Sequence, residues 1–228
     1  MADAAVILDV DGVLLELTSA EEDAFFVPFE QRHGLKNLSR DWNSYAVRND
    51  ENIIAEILER HGIPSHESAE VTDNYLSVLK QQLENGTNET IVIPGARELL
   101  ENLQGKLQIG IATANFLSAA KLRLQHVNLW HHVLQHACGA EGGGHKREIL
   151  ARAIASTQLS KDRIVNVGDN LNDVDAGHSN GIHFIGFSTS KTRLAELARA
   201  GAIHTSSNHT KTYELICHLL DIDKTPKL

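Results

Sequence analysis

The stretch Val6-Ile-Leu-Asp9-Val-Asp11-Gly12-Val-Leu14 decides how this chain is read. Its apolar start is a short buried strand, and the strand ends on two aspartates. Residues two apart on an extended chain point to the same side, so Asp9 and Asp11 project together from the strand's end. Gly12 lets the chain turn away and brings backbone close to whatever the carboxylates hold. Two unpaired acids at the end of a core strand are electrostatically costly, and chemistry is the reason to keep them there.

Working outward, three more segments read as buried strands: Leu107 to Thr113, Arg163 to Asp169 and Gly181 to Phe187, with a weaker one from Val133 to Ala137. Helical patterns alternate with them at Gly95 to Gln104, Leu117 to Leu124, Lys146 to Ser156 and Thr192 to Arg199. Strands alternating with helices imply an α/β protein, a Rossmann-like parallel sheet with helices on both faces. The first strand breaks the rhythm. Between it and Ile91 the content is helical, at Ala20 to His33, Arg48 to His61 and Ser68 to Leu83, punctuated by Gly34, Gly62-Ile-Pro64 and Glu84-Asn-Gly-Thr-Asn88. This block reads as an inserted helical module at 16–89, and the core takes 1–15 and 90–228. Hinges are expected near Leu14 to Thr18 and near Asn85 to Thr90.

A chain of 228 residues, 42% hydrophobic, buries a proper core. Its formal net charge of -9 argues against nonspecific nucleic-acid binding, because no basic stripe is present to release counterions from phosphates. A small anionic substrate is compatible, since a pocket can be locally positive on an acidic protein. The two cysteines, Cys138 and Cys217, have no metal-ligand spacing and form no disulfide framework, which suits a reducing cytoplasm. The N-terminal apolar run lacks a basic flank and is too short for a signal peptide, and no run is long enough to cross a membrane.

Ligands of open parallel sheets bind at the carboxyl ends of strands. Asp9 and Asp11 end one strand, Thr113-Ala114-Asn115 another, and Gly168-Asp169 a third, with Asp173 four residues on. Four carboxylates, Asp9, Asp11, Asp169 and Asp173, are therefore expected at one edge. Each like-charged pair near 4 Å costs about 4 kcal/mol at an effective dielectric of 20. One lysine cannot offset that. A hard divalent cation can, and oxygen-only ligands favour Mg²⁺. Asp169 and one oxygen of Asp9 are named first as ligands and Asp173 next, with a supporting role as its alternative.

A cation beside two carboxylates and a threonine suits phosphoryl transfer. One carboxylate attacks phosphorus, and the second protonates the departing alkoxide and then activates water. The Thr113 hydroxyl and backbone N–H groups near Gly12, Ala114 and Asn115 hold phosphate oxygens. A cation after Gly144, either Lys146 or Arg147, offsets the remaining charge. On a helix start these two point in different directions, so only one is expected to reach the site.

Asp-Val-Asp-Gly-Val-Leu, Thr113, Lys146 and Gly168-Asp-Asn-Leu-Asn-Asp173 resemble the four motifs of the haloacid dehalogenase superfamily. The likeness extends through Pro94-Gly-Ala-Arg-Glu-Leu-Leu100 and on to Gly181. The helical insert lies where that family carries a small helical cap, as in its phosphoglycolate-phosphatase-like and β-phosphoglucomutase-like members. The resemblance implies that Asp9 is the nucleophile and Asp11 the general acid/base. It makes Thr113 the phosphate ligand of the second motif and Asp169 and Asp173 the completion of the Mg²⁺ site. Two departures stand out. The third motif reads Gly144-His-Lys-Arg-Glu-Ile where Gly-Lys-Pro is common, and the second reads Thr-Ala-Asn, which leaves the part played by Asn115 open.

The implied activity is a Mg²⁺-dependent phosphatase acting on a small phosphorylated metabolite. A phosphomutase of the same family and a non-enzymatic binding protein on this fold are the alternatives. A dehalogenase is disfavoured, because that branch lacks the acid at Asp11 and needs no metal. Among the side features, His126, His131, His132 and His136 have no supporting acid, and a zinc site is not expected there. Gly142-Gly-Gly144 reads as a flexible loop bordering the site. Arg32, Lys36, Arg40 and Arg48 could greet a second anionic group, although a solvated helix face explains each singly. Asp175 suits a helix-capping role better than Asp173.

Overall fold

The computed structural model describes residues 2–223. The outermost ends of the core segment, residue 1 and residues 224–228, lie outside them. Six strands form one sheet: β1 (Ala5–Leu8), β2 (Gln108–Ala112), β3 (His136–Cys138), β4 (Ile164–Gly168), β5 (His183–Phe187) and β6 (His204–Ser206). Their order is β3-β2-β1-β4-β5-β6, and every pairing is parallel. β1 is central, with Ile7 opposite Gly110 of β2 on one side and Asn166 of β4 on the other.

The two faces of β1 separate by the strand period of two. Val6 and Leu8 pack with residues of α4 (Ala96–Leu103), α5 (Leu117–His126) and α10 (His209–Leu220). Ala5 and Ile7 pack with α7 (Lys146–Thr157) and α8 (Leu171–Asn180). A strand apolar on both faces is what a sheet covered on both sides requires. The fold expected from sequence is present.

Several elements depart from expectation. The weak strand expected at Val133 to Ala137 lies later, at His136–Cys138, because Val133 closes the short helix α6 (Trp130–Val133). α8, β6 and α10 have no predicted counterpart. The remaining helix, α9 (Lys191–Arg199), begins one residue before its predicted start.

Helices α1 (Ser19–His33), α2 (Asp50–Arg60) and α3 (Ser68–Glu84) form the cap between β1 and β2. Phe25, Phe29, Ile53, Ile57, Val71 and Leu79 make its core. That core continues into Phe116, Ala119 and Ala140 of the sheet domain. The two connecting strands run side by side, Glu16 N–H donating to Ile91 C=O (2.9 Å) and Ile93 N–H to Leu14 C=O (3.0 Å). The second crossing thus falls at Ile91 to Ile93, just beyond the expected hinge at Asn85 to Thr90.

Candidate active site

A cavity of about 380 Å³ opens where the carboxyl ends of β1, β2 and β4 face the cap. β1 delivers Asp9, whose N–H continues the ladder by donating to Val167 C=O (2.9 Å). β4 delivers Asp169, and the first turn of α8 delivers Asp173. Ligand oxygens of these three carboxylates lie within 4.8 Å of one another. Two glycines make room for them. Gly12 has φ +76°, and a Cβ there would overlap the Asp169 carboxylate. A Cβ on Gly168 would overlap Asp173.

Lys146 lies at the start of α7, where a helix dipole disfavours a cation. Its carboxylate partners outweigh that. Nζ is 2.8 Å from Asp9 Oδ1 and 2.9 Å from Asp173 Oδ1, and the side chain is almost wholly buried. Burial lowers the ammonium pKa, but Asp173 and Asp9 more than reverse it, so Lys146 stays charged. Arg147 turns outward and pairs with Glu148 (2.8 Å). The two third-motif cations do point in different directions, and Lys146 is the one in the site.

Asp9 Oδ1 also accepts from Val10 N–H (2.8 Å). Burial, opposed by Lys146 and reinforced by Asp173 and Asp169, pushes Asp9 up to about 8. Burial and Asp173 push Asp169 up to about 7. Asp173 is fully buried and has a second duty: its Oδ2 accepts from Asn170 N–H (3.1 Å), closing the capping box of α8. The capping acid is therefore Asp173, not Asp175, which is exposed. When ionised, these three carboxylates outnumber the one ammonium that pairs with Asp9 and Asp173 by two charges, in an oxygen-only donor set. That set fits a hard divalent cation such as Mg²⁺. Among the described residues it is the grouping of metal-capable side chains that the structure shows, and His126, His131, His132 and His136 are not in it.

The fourth carboxylate goes elsewhere. Asp11 lines the cavity, but its Oδ1 is 2.7 Å from Arg123 Nη2 on α5. Arg123 Nε in turn is 2.6 Å from Glu21 Oε1 on α1. Burial would lower the Arg123 pKa, yet Asp11 and Glu21 outweigh it and keep the guanidinium charged. Sequence reading misses both Arg123 and Glu21.

Thr113, Ala114 and Asn115 line the cavity as the end of β2. The Thr113 hydroxyl donates to Asn115 Oδ1 (3.0 Å) and accepts from Asn115 N–H (3.1 Å). Asn115 thus shapes the loop that carries Thr113. Gly12 also lines the cavity, while its N–H donates to Leu15 C=O (2.8 Å).

The cap roofs the site through the N-terminus of α2. Asp50 N–H donates to Ala114 C=O (2.9 Å), and Asp50 Oδ2 accepts from Phe116 N–H (2.7 Å). Gly143 N–H donates to Glu51 Oε2 (2.6 Å) and Gly144 N–H to Asn52 Oδ1 (3.2 Å). The expected glycine loop does not itself line the cavity, and the cap grips it instead of leaving it loose. Phe25, Trp42 and Tyr75 form an aromatic wall in the roof. Of the four cap cations, Arg48 lines the cavity; Arg32, Lys36 and Arg40 pair with Glu70, Glu30 and Asp23.

A family model described as haloacid dehalogenase-like hydrolase matches residues 6–187. The chain belongs to that family. Its match spans β1 to β5 and includes the whole cap and all the carboxylates above. A protein described as a candidate β-phosphoglucomutase from Bacteroides vulgatus is 19% identical, with TM-score 0.70 over 96% of this chain and 90% of that one. CbbY from Rhodobacter sphaeroides, solved in complex with phosphate, is 20% identical, with TM-score 0.69 over 92% of this chain and 95% of that one. A candidate phosphoglycolate phosphatase from Lactobacillus plantarum is 16% identical, with TM-score 0.67 over 94% and 100%. At these identities the likeness concerns the fold. The comparison with curated proteins gives no significant match. No helix among the described residues is long and apolar enough to cross a membrane.

Proposed function

We propose that this haloacid dehalogenase-like hydrolase is a Mg²⁺-dependent phosphatase that cleaves a small phosphorylated metabolite through an aspartyl-phosphate on Asp9. The observation that carries the reading is the cluster of Asp9, Asp169 and Asp173, which when ionised exceeds by two charges the single ammonium of Lys146 paired with Asp9 and Asp173. Such a surplus is costly unless a divalent cation and a phosphoryl group complete the site.

In this reading Asp9, Asp169 and Asp173 hold Mg²⁺, which when bound shields the phosphoryl charge from the nucleophile. Asp9 Oδ1 is held by Lys146 and Val10 N–H, which leaves Oδ2 to attack phosphorus. The bond from phosphorus to the leaving oxygen breaks as the Asp9–phosphorus bond forms, and Asp11 gives that oxygen its proton. Asp11 then takes a proton from the water that attacks the aspartyl-phosphate, and phosphate leaves. The Thr113 hydroxyl turns from Asn115 to a phosphoryl oxygen, with Ala114 and Asn115 backbone beside it. Lys146 stays charged and fixes Asp9 throughout.

The units are a core of 1–15 and 90–228 and a cap of 16–89, with specificity set by the cap side of the cavity. The low cysteine content fits a cytoplasmic setting. A phosphomutase of the same family is the second reading. It is favoured by the roof, because α2 docks on both the Ala114 and Gly143 loops and would shield an aspartyl-phosphate from water.

The test is phosphate release from a panel of phosphorylated metabolites, with Mg²⁺ and with EDTA, for wild type and Asp9→Asn. Release that needs Mg²⁺ and vanishes in the variant supports the phosphatase. Release only after priming with a sugar bisphosphate supports the mutase. No release under any condition overturns both.

A further inference from the structure

Arg123 is a buried cation that the four motifs do not include, and its bonds all reach one segment of chain. Nη2 is 2.7 Å from Asp11 Oδ1 and 3.2 Å from Glu16 C=O, and Nε is 2.6 Å from Glu21 Oε1. Asp11 leaves the end of β1, Glu16 lies in the connection to the cap, and Glu21 is in the first turn of α1. Glu21 has a further tie. Its Oε2 accepts from Thr18 N–H (3.0 Å) and its own N–H donates to Thr18 Oγ1 (3.3 Å), a capping box that fixes the start of α1.

Arg123 itself stands on α5, which packs Ala120 and Leu124 into the sheet core. A planar guanidinium with donors in a rigid fork can hold two carboxylates and a carbonyl at fixed angles, which an ammonium cannot. One rigid point in the core therefore grips the catalytic loop, the hinge and the cap together.

We propose that Arg123 is a positioning residue that sets the Asp11 carboxylate for proton transfer and ties that setting to the seat of the cap through Glu21. The guanidinium occupies Oδ1 of Asp11 and leaves Oδ2 to face the leaving-group oxygen. When α1 is seated, Glu21 fixes the guanidinium and the guanidinium fixes Asp11. When α1 moves away, the fork loses one anchor and Asp11 loses its aim.

This inference rests on the phosphatase reading, and the experiment separates the two. Phosphate release is measured with Mg²⁺ for an alkyl phosphate, whose leaving oxygen needs a proton, and for p-nitrophenyl phosphate, whose leaving group departs without one. Arg123→Met strands the buried Glu21 charge, so the Arg123→Met/Glu21→Gln double variant is made beside it and serves if the single variant does not fold. Both variants should lose roughly 100-fold in kcat/KM on the alkyl phosphate, the scale of general acid catalysis, and only about 3-fold on p-nitrophenyl phosphate. The reason is that kcat/KM reports transfer to Asp9 and not the later hydrolysis, in which Asp11 acts on both substrates alike. Arg123→Lys should recover part of the alkyl phosphate rate.

Equal losses in kcat/KM on the two substrates overturn the positioning role, because a merely structural defect does not sense the leaving group. An unchanged alkyl phosphate rate overturns it as well. Wild-type protein inert on both substrates overturns the phosphatase reading itself, and the role of Arg123 falls with it.

Discussion

Lys146 Nζ stands 2.8 Å from Asp9 Oδ1, and the same ammonium holds Asp173 Oδ1 at 2.9 Å. Among the described residues it is the cation paired into the cluster of three carboxylates, in which Asp9 and Asp173 are buried and Asp169 is half-buried. Lys146→Met removes that charge and leaves the carboxylates facing one another. Breaking a buried pair in this way costs about 3–5 kcal/mol. The variant should melt well below wild type in EDTA and recover part of the difference in Mg²⁺. Its phosphate release should fall about 100-fold or more. Arg147→Met, on the exposed pair with Glu148, should change the melting temperature and the rate little. Calorimetry and a phosphate assay on the two variants check this, and the reverse ranking would move the third-motif role to Arg147.

Asp9→Asn should abolish turnover without unfolding the chain. The amide keeps the shape and can accept from Val10 N–H and Lys146, but it is no nucleophile. It also takes one negative charge out of the cluster. The folded protein in EDTA should therefore be at least as stable as wild type, while Mg²⁺ binds more weakly. Thermal melts with and without Mg²⁺, set beside the assay, separate lost chemistry from a lost fold.

Metal affinity should depend on pH, and the sign follows from Asp9 and Asp169. Burial and like charge raise them to about 8 and about 7, so protons compete with the cation in the neutral range. Mg²⁺ should bind more tightly as pH rises from 6 to 8 and release protons as it binds. Folded values above the unfolded value also mean that these groups favour folding most at low pH. In EDTA that contribution is fully present below about pH 4 and is lost as pH rises through about 7 to 8. Titration calorimetry in buffers of different ionisation heat counts the released protons. Asp169→Asn should lower that count, and a pH-independent affinity would contradict the assignment.

Much of the site is legible because its residues sit in strong local contexts. Asp9, Asp169 and Thr113 each end an apolar run long enough to declare a buried strand. Lys146 opens a helix after a glycine turn, and sequence alone favours it while keeping Arg147 as a competitor. Arg123 sends no such signal. It is one arginine on the polar-looking side of α5, and Glu21 is 102 residues away. Only folding shows that the two meet, and that Asp11 turns to them instead of to the other carboxylates. α8 is hard to read for another reason. Its buried side is Asp173, Val174, Ala176 and Gly177, too small and too polar for a clear helical period. α10 was readable in principle, since Tyr213, Ile216, Cys217 and Leu220 recur at helical spacing behind the Asn208 cap. β6 is three residues at the sheet's edge, with a polar side chain on each, and leaves no pattern.

Asp50 gives the cap its own pH response. Burial, only partly opposed by the Phe116 N–H bond, pushes it up to about 7, and its carboxylate is the cap's hold on the Phe116 amide. Ionising it inside the closed interface is unfavourable, so its contribution favours the folded, seated cap below the unfolded value and fades as pH rises through about 7. Asp50→Asn keeps an acceptor for Phe116 N–H and removes the charge. The cap of this variant should stay seated at pH 8, with less pH dependence than wild type. Asp50→Ala leaves the Phe116 amide without its partner, a loss of about 1–3 kcal/mol. Hydrogen exchange at Phe116, followed from pH 6 to 9, reads this directly. Protection should persist in Asp50→Asn and fall in Asp50→Ala, and KM should rise in the alanine variant. Equal protection in both variants would mean that the cap is held by Glu51, Asn52 and the glycine loop instead.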